Sequence, residues 1–555
     1  MGETPSGAVP ESTAVPPATA AGGEPAASSQ PTEPSPAEVP GADVAARIAA
    51  GYGFGGAPAI ELGSVVAAGA AHPTARVRVP IGMLNRHGLV AGATGTGKTK
   101  TLQLITEQLS AAGVPVFVAD IKGDLSGLAA AGEPGDRIAA RAKDTGDEWQ
   151  PGAYPVEFLA IGGIGTGVPL RATVTSFGPV LMAKVLGLNE TQESSLGLVF
   201  HYADRAGLPL LDLKDLRSVI SYLTSDDGKA DLAGLGGLSK ATAGVILRNL
   251  VALADSGAEA FFGEPEFDTA EFLRTAPDGR GIVSAVELSE VQDRPALFST
   301  FLLWLLADLF EDLPEVGDPD KPKLVFFFDE AHLLFADASK AFLDAVTRTV
   351  RLIRSKGIGV FFVTQQPTDV PDDVLAQLGN RVQHALRAFT PDDADALRKT
   401  VRTYPRTGDY ELEETLTSLG TGEAVVTVMS ERGVPTPVAW TRLRAPRSRM
   451  APADAAAVSA AVAGSALQKE YGAAVDRESA YERLAAKLAP PPAPARAPEP
   501  TPAPARREQE DEGVGGLLGK VLGSAAARSF ARSAASALGR EITRGVLGTA
   551  RRRRR

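Results

Sequence analysis

A glycine-rich phosphate-binding pattern is the clearest chemical signal in this 555-residue chain. Glycines let the backbone wrap closely enough for its N–H groups to point at phosphate oxygens, and a following helix adds free amides and a favourable dipole. The lysine that ends such a pattern reaches the β- and γ-phosphates, and the next hydroxyl ligates Mg²⁺. The pattern G-x-x-x-x-G-K-[ST] is matched in full by Gly92, Ala93, Thr94, Gly95, Thr96, Gly97, Lys98 and Thr99. We therefore expect this loop to bind the phosphates, with Lys98 as a catalytic residue and Thr99 as a ligand of the metal ion.

A pair of acids follows an apolar run further along the chain. Residues 323–328 predict a buried strand, and Asp329 and Glu330 come directly after it. A strand that ends in a carboxylate places Asp329 at the carboxyl edge of a sheet, where it can complete the coordination of Mg²⁺. Glu330 is then placed to polarise the attacking water as a general base. The alternative is that the two acids only cap a core strand, and the phosphate loop favours the catalytic interpretation. The chain has no Asn-Lys-x-Asp guanine-binding motif, so ATP is the expected nucleotide.

Gln365 is a candidate sensor of hydrolysis. It follows the predicted strand at residues 359–364 and precedes Gln366 and Pro367. If that strand lies between the phosphate-loop strand and the Asp329 strand, Gln365 faces the γ-phosphate. A polar turn that Pro367 imposes at the end of the strand is the alternative.

Three arginines are candidates for stabilising the transferring phosphoryl group: Arg86, Arg354 and Arg381. An arginine supplied by a neighbouring subunit would couple hydrolysis to ring assembly. Arg381 is the first choice, Arg86 is the second residue that we carry forward as catalytic, and surface salt bridges are the alternative for all three. The segment 120–127, with Asp120, Lys122 and Asp124, either contacts the nucleotide and transmits its state or forms a plain strand-to-helix turn.

The elements that must position these residues alternate in a βαβ rhythm. Near-continuous apolar strands at residues 87–91, 114–120, 282–288, 323–328, 359–364 and 381–387 lie between amphipathic helices, which is typical of a parallel sheet covered on both faces. Residues 178–275 have a mostly helical pattern. The predicted fold is α/β, a P-loop NTPase of the additional-strand, catalytic-glutamate type with a mostly parallel sheet and a helical insertion.

Composition divides the chain into five predicted regions. Residues 1–45 are rich in Pro and Ala and predict a disordered tail, because they cannot bury enough apolar surface to offset the ordering entropy. The ATPase domain is predicted at 46–445, with its helical insertion at about 178–275, and C-terminal helices at 446–488. A Pro-rich and charged linker follows at 489–513, and a basic amphipathic tail, which we also predict to be disordered, at 514–555.

Charge and residue types limit the function classes. The chain has no cysteine, which excludes disulfides, thiolate metal sites and cysteine nucleophiles, and its five histidines are dispersed. No apolar run reaches the length of a membrane span and the N-terminus lacks a secretory signal, so we expect a cytoplasmic protein. Residues 514–555 hold ten Lys or Arg and one acid, so this tail carries +9 of a net −11 and leaves −20 on residues 1–513. Such a tail suits an anionic membrane, nucleic acid or an acidic partner, which includes the body of this chain itself.

Together these segments resemble the FtsK–HerA superfamily of ring-forming motor ATPases, and more closely the bacterial HerA-like helicase C-terminal-domain family. The resemblance is carried by residues 85–99, 120–126, 321–335, 351–357, 365–367 and 378–391, and it covers roughly 80–485. It implies a hexameric ring with sites at subunit interfaces, ATP and Mg²⁺ as cofactors, and movement on double-stranded DNA or another polymer. It also carries the roles above onto Lys98, Thr99, Asp329, Glu330, Gln365, Arg86 and Arg381. One departure is that too few residues precede the phosphate loop for the β-barrel of archaeal HerA-type motors.

Three functions remain open from the sequence. The first is a DNA translocase or helicase, which the superfamily motifs favour. The second is a P-loop ATPase switch that acts on protein partners or at a membrane surface, which the acidic body and the missing barrel favour. A non-catalytic nucleotide-binding scaffold is disfavoured, because Lys98, Asp329 and Glu330 are all present.

Overall fold

The computed structural model describes residues 40–488, apart from 233, 235 and 336–339. Almost all of the predicted N-terminal tail, the predicted linker at 489–513 and the predicted basic tail at 514–555 lie outside the described residues. One twelve-stranded sheet runs through the described part of the chain, with the strand order β2-β1-β12-β11-β10-β3-β9-β8-β4-β7-β5-β6. The strands are β1 (Ala59–Ala67), β2 (Ala70–Pro80), β3 (Gly88–Ala91), β4 (Val116–Asp120), β5 (Val156–Ile161), β6 (Val168–Leu170), β7 (Val283–Glu287), β8 (Leu324–Phe328), β9 (Ile358–Thr364), β10 (Asn380–Gln383), β11 (Glu423–Thr427) and β12 (Ala439–Leu443).

The strands from β10 to β6 along this order are all parallel, as predicted. Their sequences are apolar at nearly every position because both faces are covered, and all five residues of β8 and all seven of β9 are buried. Successive side chains of β8 enter opposite layers of the core. Phe326 and Phe328 pack on the face that carries the insertion, and Val325 and Phe327 pack on the other.

Four strands at the other end of the sheet are antiparallel and were not predicted. β1 and β2 form a hairpin through Ala68 and Gly69, and both of these residues have positive φ, as a type I′ two-residue turn requires. β1 then pairs with β12, and β11 joins β12 to β10. The residues before the phosphate loop therefore extend the ATPase sheet.

Helices cover both faces of the sheet, and the segment between β6 and β7 is mostly helical, as predicted for the insertion. In this segment α4 has a kink at Gly178, whose φ is 73°, followed by Pro179. The α-helices in the described residues are α1 (Ala42–Ala50), α2 (Lys98–Ala111), α3 (Asp136–Thr145), α4 (Val174–Val185), α5 (Glu190–Arg205), α6 (Leu213–Thr224), α7 (Lys240–Asp255), α8 (Pro295–Asp312), α9 (His332–Phe335), α10 (Lys340–Ile353), α11 (Asp372–Leu375), α12 (Pro391–Val401), α13 (Leu412–Ser418), α14 (Ala455–Gly464), α15 (Ala466–Tyr471) and α16 (Ala480–Leu488).

The core beside β8 and β4 is aromatic. The ring of Phe117 lies 4.9 Å from that of Phe326 and 5.3 Å from that of Phe272, and Phe328 stacks on Phe362 at 5.8 Å. Each buried ring contributes about 1.5–3 kcal/mol from the apolar surface that it removes from water. This packing holds the carboxyl ends of β3, β9, β8 and β4 side by side at one edge of the sheet, where the candidate site lies.

Candidate nucleotide site

The phosphate-binding loop connects the end of β3 to the start of α2, as predicted. Gly92, Gly95 and Gly97 have φ angles of 152°, 80° and 116°, a region that residues with a side chain rarely adopt. The Gly92 N–H donates to the carbonyl of Thr364 at 3.2 Å, and the Ala93 N–H donates to the carbonyl of Ala385 at 2.8 Å. The loop is therefore tied to the ends of both neighbouring strands, β9 and β10.

The backbone amides at the start of α2 are free to bind an anion. Gly97 is the N-cap of α2 and provides no side-chain cap, so the first-turn N–H groups have no capping acceptor. The Lys98 ammonium donates to the carbonyls of Gly92 at 2.6 Å and Ala93 at 3.3 Å, so it lies inside the loop. Burial lowers the pKa of Lys98, while the carboxylate of Glu330 opposes that shift. A cradle of free amides around a buried cation fits the phosphates of a nucleotide.

Asp329 and Glu330 lie at the carboxyl end of β8, as predicted. Asp329 is 3% exposed, and its Oδ1 accepts the Glu330 N–H at 2.9 Å. Burial, with a contribution from Glu330, raises the pKa of Asp329 to about 6. A buried carboxylate next to the phosphate loop, together with the half-buried Thr99, fits the oxygen donors that Mg²⁺ prefers.

Two side chains flank the carboxylate of Glu330. The Lys122 ammonium contacts Oε1, and Nδ1 of His332 lies 3.3 Å from Oε2. Burial acts to raise the pKa of Glu330, but the Lys122 ammonium outweighs it and holds the pKa below its usual value. Glu330 also has a φ of 47°, which a residue with a side chain adopts only at a cost of order 1–3 kcal/mol. Strained backbone of this kind clusters at active sites.

Gln365 lies at the same edge of the sheet, directly after β9. Since β9 lies between β3 and β8, the structure meets the condition that we set for Gln365 to face the γ-phosphate. Its side chain is exposed, and the turn that carries it is fixed by Asp369, which accepts the Thr364 hydroxyl at 2.6 Å and the Gln366 N–H at 2.9 Å. The sensing role of Gln365 stays a prediction.

The three candidate arginines lie away from the phosphate loop of their own subunit. Arg86 precedes β3 and Arg354 precedes β9, and their guanidinium groups lie 2.9 and 3.8 Å from the carboxylate of Asp318. The Arg381 guanidinium turns back to the carbonyls of Leu378 and Leu375, which precede β10, and contacts Thr403 at 2.5 Å. All three belong to the amino edge of the sheet, opposite the edge that carries the loop.

The segment after β4 contributes a residue whose role the sequence left open. Asp120 accepts the N–H groups of Gly123 and Leu125, both at 2.8 Å, and this turn places Lys122 against Glu330. Burial raises the pKa of Asp120 to about 6. The sequence signal was the position of Lys122 two residues beyond a strand on the active edge.

His384 contacts the phosphate loop and α2, and no sequence pattern pointed to this residue. It follows β10, its N–H donates to the carbonyl of Ala91 at 2.7 Å, and its ring lies 2.8 Å from the Thr101 hydroxyl of α2. A Cβ on Gly92 would lie 2.4 Å from the Cβ of His384, so only glycine fits there. Burial lowers the pKa of His384 to about 4, so the ring is neutral near pH 7.

The fold and the site define a P-loop NTPase of the additional-strand type, because β9 lies between the phosphate-loop strand and the strand that ends in Asp329 and Glu330. The model of the Helicase HerA-like C-terminal family matches residues 66–555, and the chain belongs to that family. The chain is therefore an ATP-hydrolysing enzyme of the HerA-like class.

Comparisons with solved structures give low identities. The bacterial conjugative coupling protein TrwBΔN70, in its unbound monoclinic form, is 17% identical, with 70% of this chain and 91% of that chain covered and a TM-score of 0.44. The plasmid coupling protein TrwB in complex with the non-hydrolysable ATP analogue ADPNP is 17% identical, covering 72% and 99%, with a TM-score of 0.46. VirB4 of Thermoanaerobacter pseudethanolicus is 14% identical, covering 70% and 97%, with a TM-score of 0.42. No curated protein matches the chain.

Within the described residues, no helix has the length and apolar character that crossing a membrane requires.

Proposed function

We propose that the chain is the ATPase subunit of a ring-forming motor that moves along double-stranded DNA. The observation that carries this proposal is that the phosphate loop, the Asp329–Glu330 pair and Gln365 share one edge of the sheet. The family match supports a motor ATPase, and movement along double-stranded DNA is what we propose in addition.

In the proposed site the chain binds ATP with Mg²⁺. The amides of the loop and the Lys98 ammonium hold the phosphates, and Thr99 and Asp329 are the metal ligands. When bound, Mg²⁺ neutralises charge on the β- and γ-phosphate oxygens. Glu330 accepts the proton of the attacking water, for which its carboxylate must leave the Lys122 ammonium. Gln365 reports the presence of the γ-phosphate.

Placement of the arginines supports assembly into a ring. Arg86 and Arg381 lie at the amino edge of the sheet, where their side chains contact Asp318 and Thr403. Their Cα atoms lie roughly 15–20 Å and roughly 13 Å from the loop end of their strands, so neither guanidinium group contacts the phosphate loop of its own subunit. If they act on a phosphate, that phosphate belongs to a neighbouring subunit. A hexamer is the assembly that we propose, with one site at each subunit interface.

Displacement of a third strand from triplex DNA tests movement along a duplex. The full chain with ATP should release the third strand, and the Glu330→Gln variant, which keeps the loop intact, should not. A chain that hydrolyses ATP but never displaces the strand, on any duplex tested, would refute the DNA part of the proposal.

A second function is an ATPase switch that acts on proteins or at an anionic membrane. The net charge of −20 on residues 1–513 favours it, because an acidic surface repels nucleic acid and most non-specific affinity for DNA comes from neutralising phosphates. In this version the basic residues at 514–555 make the contact. Removing them should abolish binding to vesicles that contain anionic lipids, and a truncated protein that binds as well as the full chain would exclude this role for the tail.

A further inference from the structure

The turn between β10 and α12 leaves one large aromatic side chain in solvent. Phe389 is 80% exposed, more than any other large apolar side chain in the described part of the chain, and the next is Val434 at 57%. An aromatic ring exposed to water costs free energy, so a ring kept exposed at this position is a candidate contact for a ligand. β10 is the parallel neighbour of the phosphate-loop strand β3, so the turn after β10 emerges at the same edge as the loop.

The turn is fixed at both ends and close to the loop. At its start, the Ala93 N–H of the phosphate loop donates to the carbonyl of Ala385 at 2.8 Å. At its end, Thr390 caps α12, and its hydroxyl accepts the Asp393 N–H at 3.1 Å. Phe389 is four positions after Ala385, which limits the distance between their Cα atoms to about 14 Å. The ring is therefore presented next to the loop by a short, anchored segment.

The position of the catalytic residues sets the direction in which a bound nucleotide extends. Glu330 and Gln365 follow β8 and β9, on one side of β3, and the γ-phosphate must face them. The nucleoside end of the same molecule then points to the other side, over β10 and the turn before β11. That turn also contacts the loop, because the Gly422 N–H donates to the carbonyl of Thr96 at 3.0 Å. Phe389 lies on this nucleoside side.

We infer that Phe389 forms a nucleobase subsite, in which its ring stacks on the base of the bound nucleoside triphosphate. The inference rests on the proposed nucleotide binding and adds the recognition of the base. Aromatic rings stack on any base through their π faces, and the larger surface of a purine gains more than that of a pyrimidine. The Arg387 guanidinium, 5.9 Å from the centre of the Phe389 ring, adds a positive charge beside the anionic ligand.

Calorimetric titration of the full chain with ATP and with inorganic tripolyphosphate, which has no base, tests the subsite. The variants are Phe389→Ala, Phe389→Trp and, as a matched control, Val434→Ala, which truncates another exposed apolar side chain in the turn between β11 and β12. Phe389→Ala should weaken ATP binding about 5- to 150-fold, the range of base–aromatic stacking. Phe389→Trp and Val434→Ala should bind ATP as the parent chain does, and tripolyphosphate should bind all four proteins equally.

Two results would overturn the inference while leaving the nucleotide site intact. One is a Phe389→Ala variant that binds ATP as tightly as the parent chain. The other is an equal loss of ATP and tripolyphosphate binding, which would show that the substitution disturbs the phosphate loop. Failure of the parent chain to bind ATP at all would refute the proposed nucleotide site itself, and the subsite with it.

Discussion

Replacing Glu330 by glutamine separates nucleotide binding from hydrolysis. The substitution keeps the size of the side chain and its backbone conformation but removes the group that accepts a proton from water. Lys122 still finds an oxygen acceptor in the amide, so the site keeps its shape. We therefore expect ATP to bind with nearly unchanged affinity while hydrolysis collapses.

The magnitude follows from the role of the residue. A positioned general base contributes roughly 10²- to 10⁴-fold, so kcat should fall by about that factor, or about 2.7–5.4 kcal/mol in the activation barrier. The stability cost should stay within about 1 kcal/mol, because the Lys122 side chain is 44% exposed and solvent already screens the ion pair that a neutral hydrogen bond replaces.

Single-turnover hydrolysis and calorimetric binding of ATP, measured on the same samples, test this prediction. Glu264→Gln is a matched control, because the Glu264 side chain is also 6% exposed and also pairs with a cation, Arg477, but lies in the insertion. The control should hydrolyse ATP at the parent rate. Parent-like turnover by Glu330→Gln would refute Glu330 as the base, and loss of ATP binding would refute the separation of roles.

Three further predictions follow from the same structure. Lys98→Ala should weaken ATP binding about 10- to 150-fold in calorimetry, because it removes charge-assisted bonds to the phosphates, and an unchanged affinity would contradict its role. Arg381→Ala should lower kcat by about 10³- to 10⁵-fold with ATP affinity unchanged. Mixing this variant with Glu330→Gln should restore part of the activity, because some interfaces then combine a subunit that keeps Glu330 with a subunit that keeps Arg381. No recovery would argue against an arginine that acts between subunits. Asp308→Asn should stabilise the protein by up to about 4 kcal/mol at pH 8 and by almost nothing at pH 4. The reason is that burial raises the pKa of Asp308 to about 7. The Thr269 hydroxyl opposes this shift, and the nearby acids Asp312, Glu266 and Glu311 reinforce it. The contribution of Asp308 to stability is thus present below pH 4 and lost as the pH rises through 7, and equal melting temperatures of variant and parent at pH 8 would exclude it.

The parts of the site that the sequence predicts are those encoded by local patterns. The phosphate loop needs eight consecutive residues between a strand and a helix, and Asp329 needs only the apolar strand before it. The position of Gln365 required a sheet order, which the superfamily resemblance suggests and the structure confirms.

Features that depend on contacts between residues far apart in the chain could not be predicted from the sequence. β1 pairs with β12 through Gly63 and Leu443, which are 380 positions apart, and no local pattern encodes such a partner. The ion pair between Lys122 and Glu330 likewise depends on the adjacency of β4 and β8. Arg381 and Arg86 carry no local sign of the edge that they occupy, so their distance from the phosphate loop emerged only from the fold.

We propose that this chain is an ATP-driven ring motor that works on DNA. Steady-state ATP hydrolysis with and without double-stranded DNA, together with the size of the same sample in ATP, tests it most directly. We expect a hexamer whose hydrolysis rate rises strongly when duplex DNA is added. A slow rate that is indifferent to DNA, from a protein that stays monomeric in ATP, would contradict it.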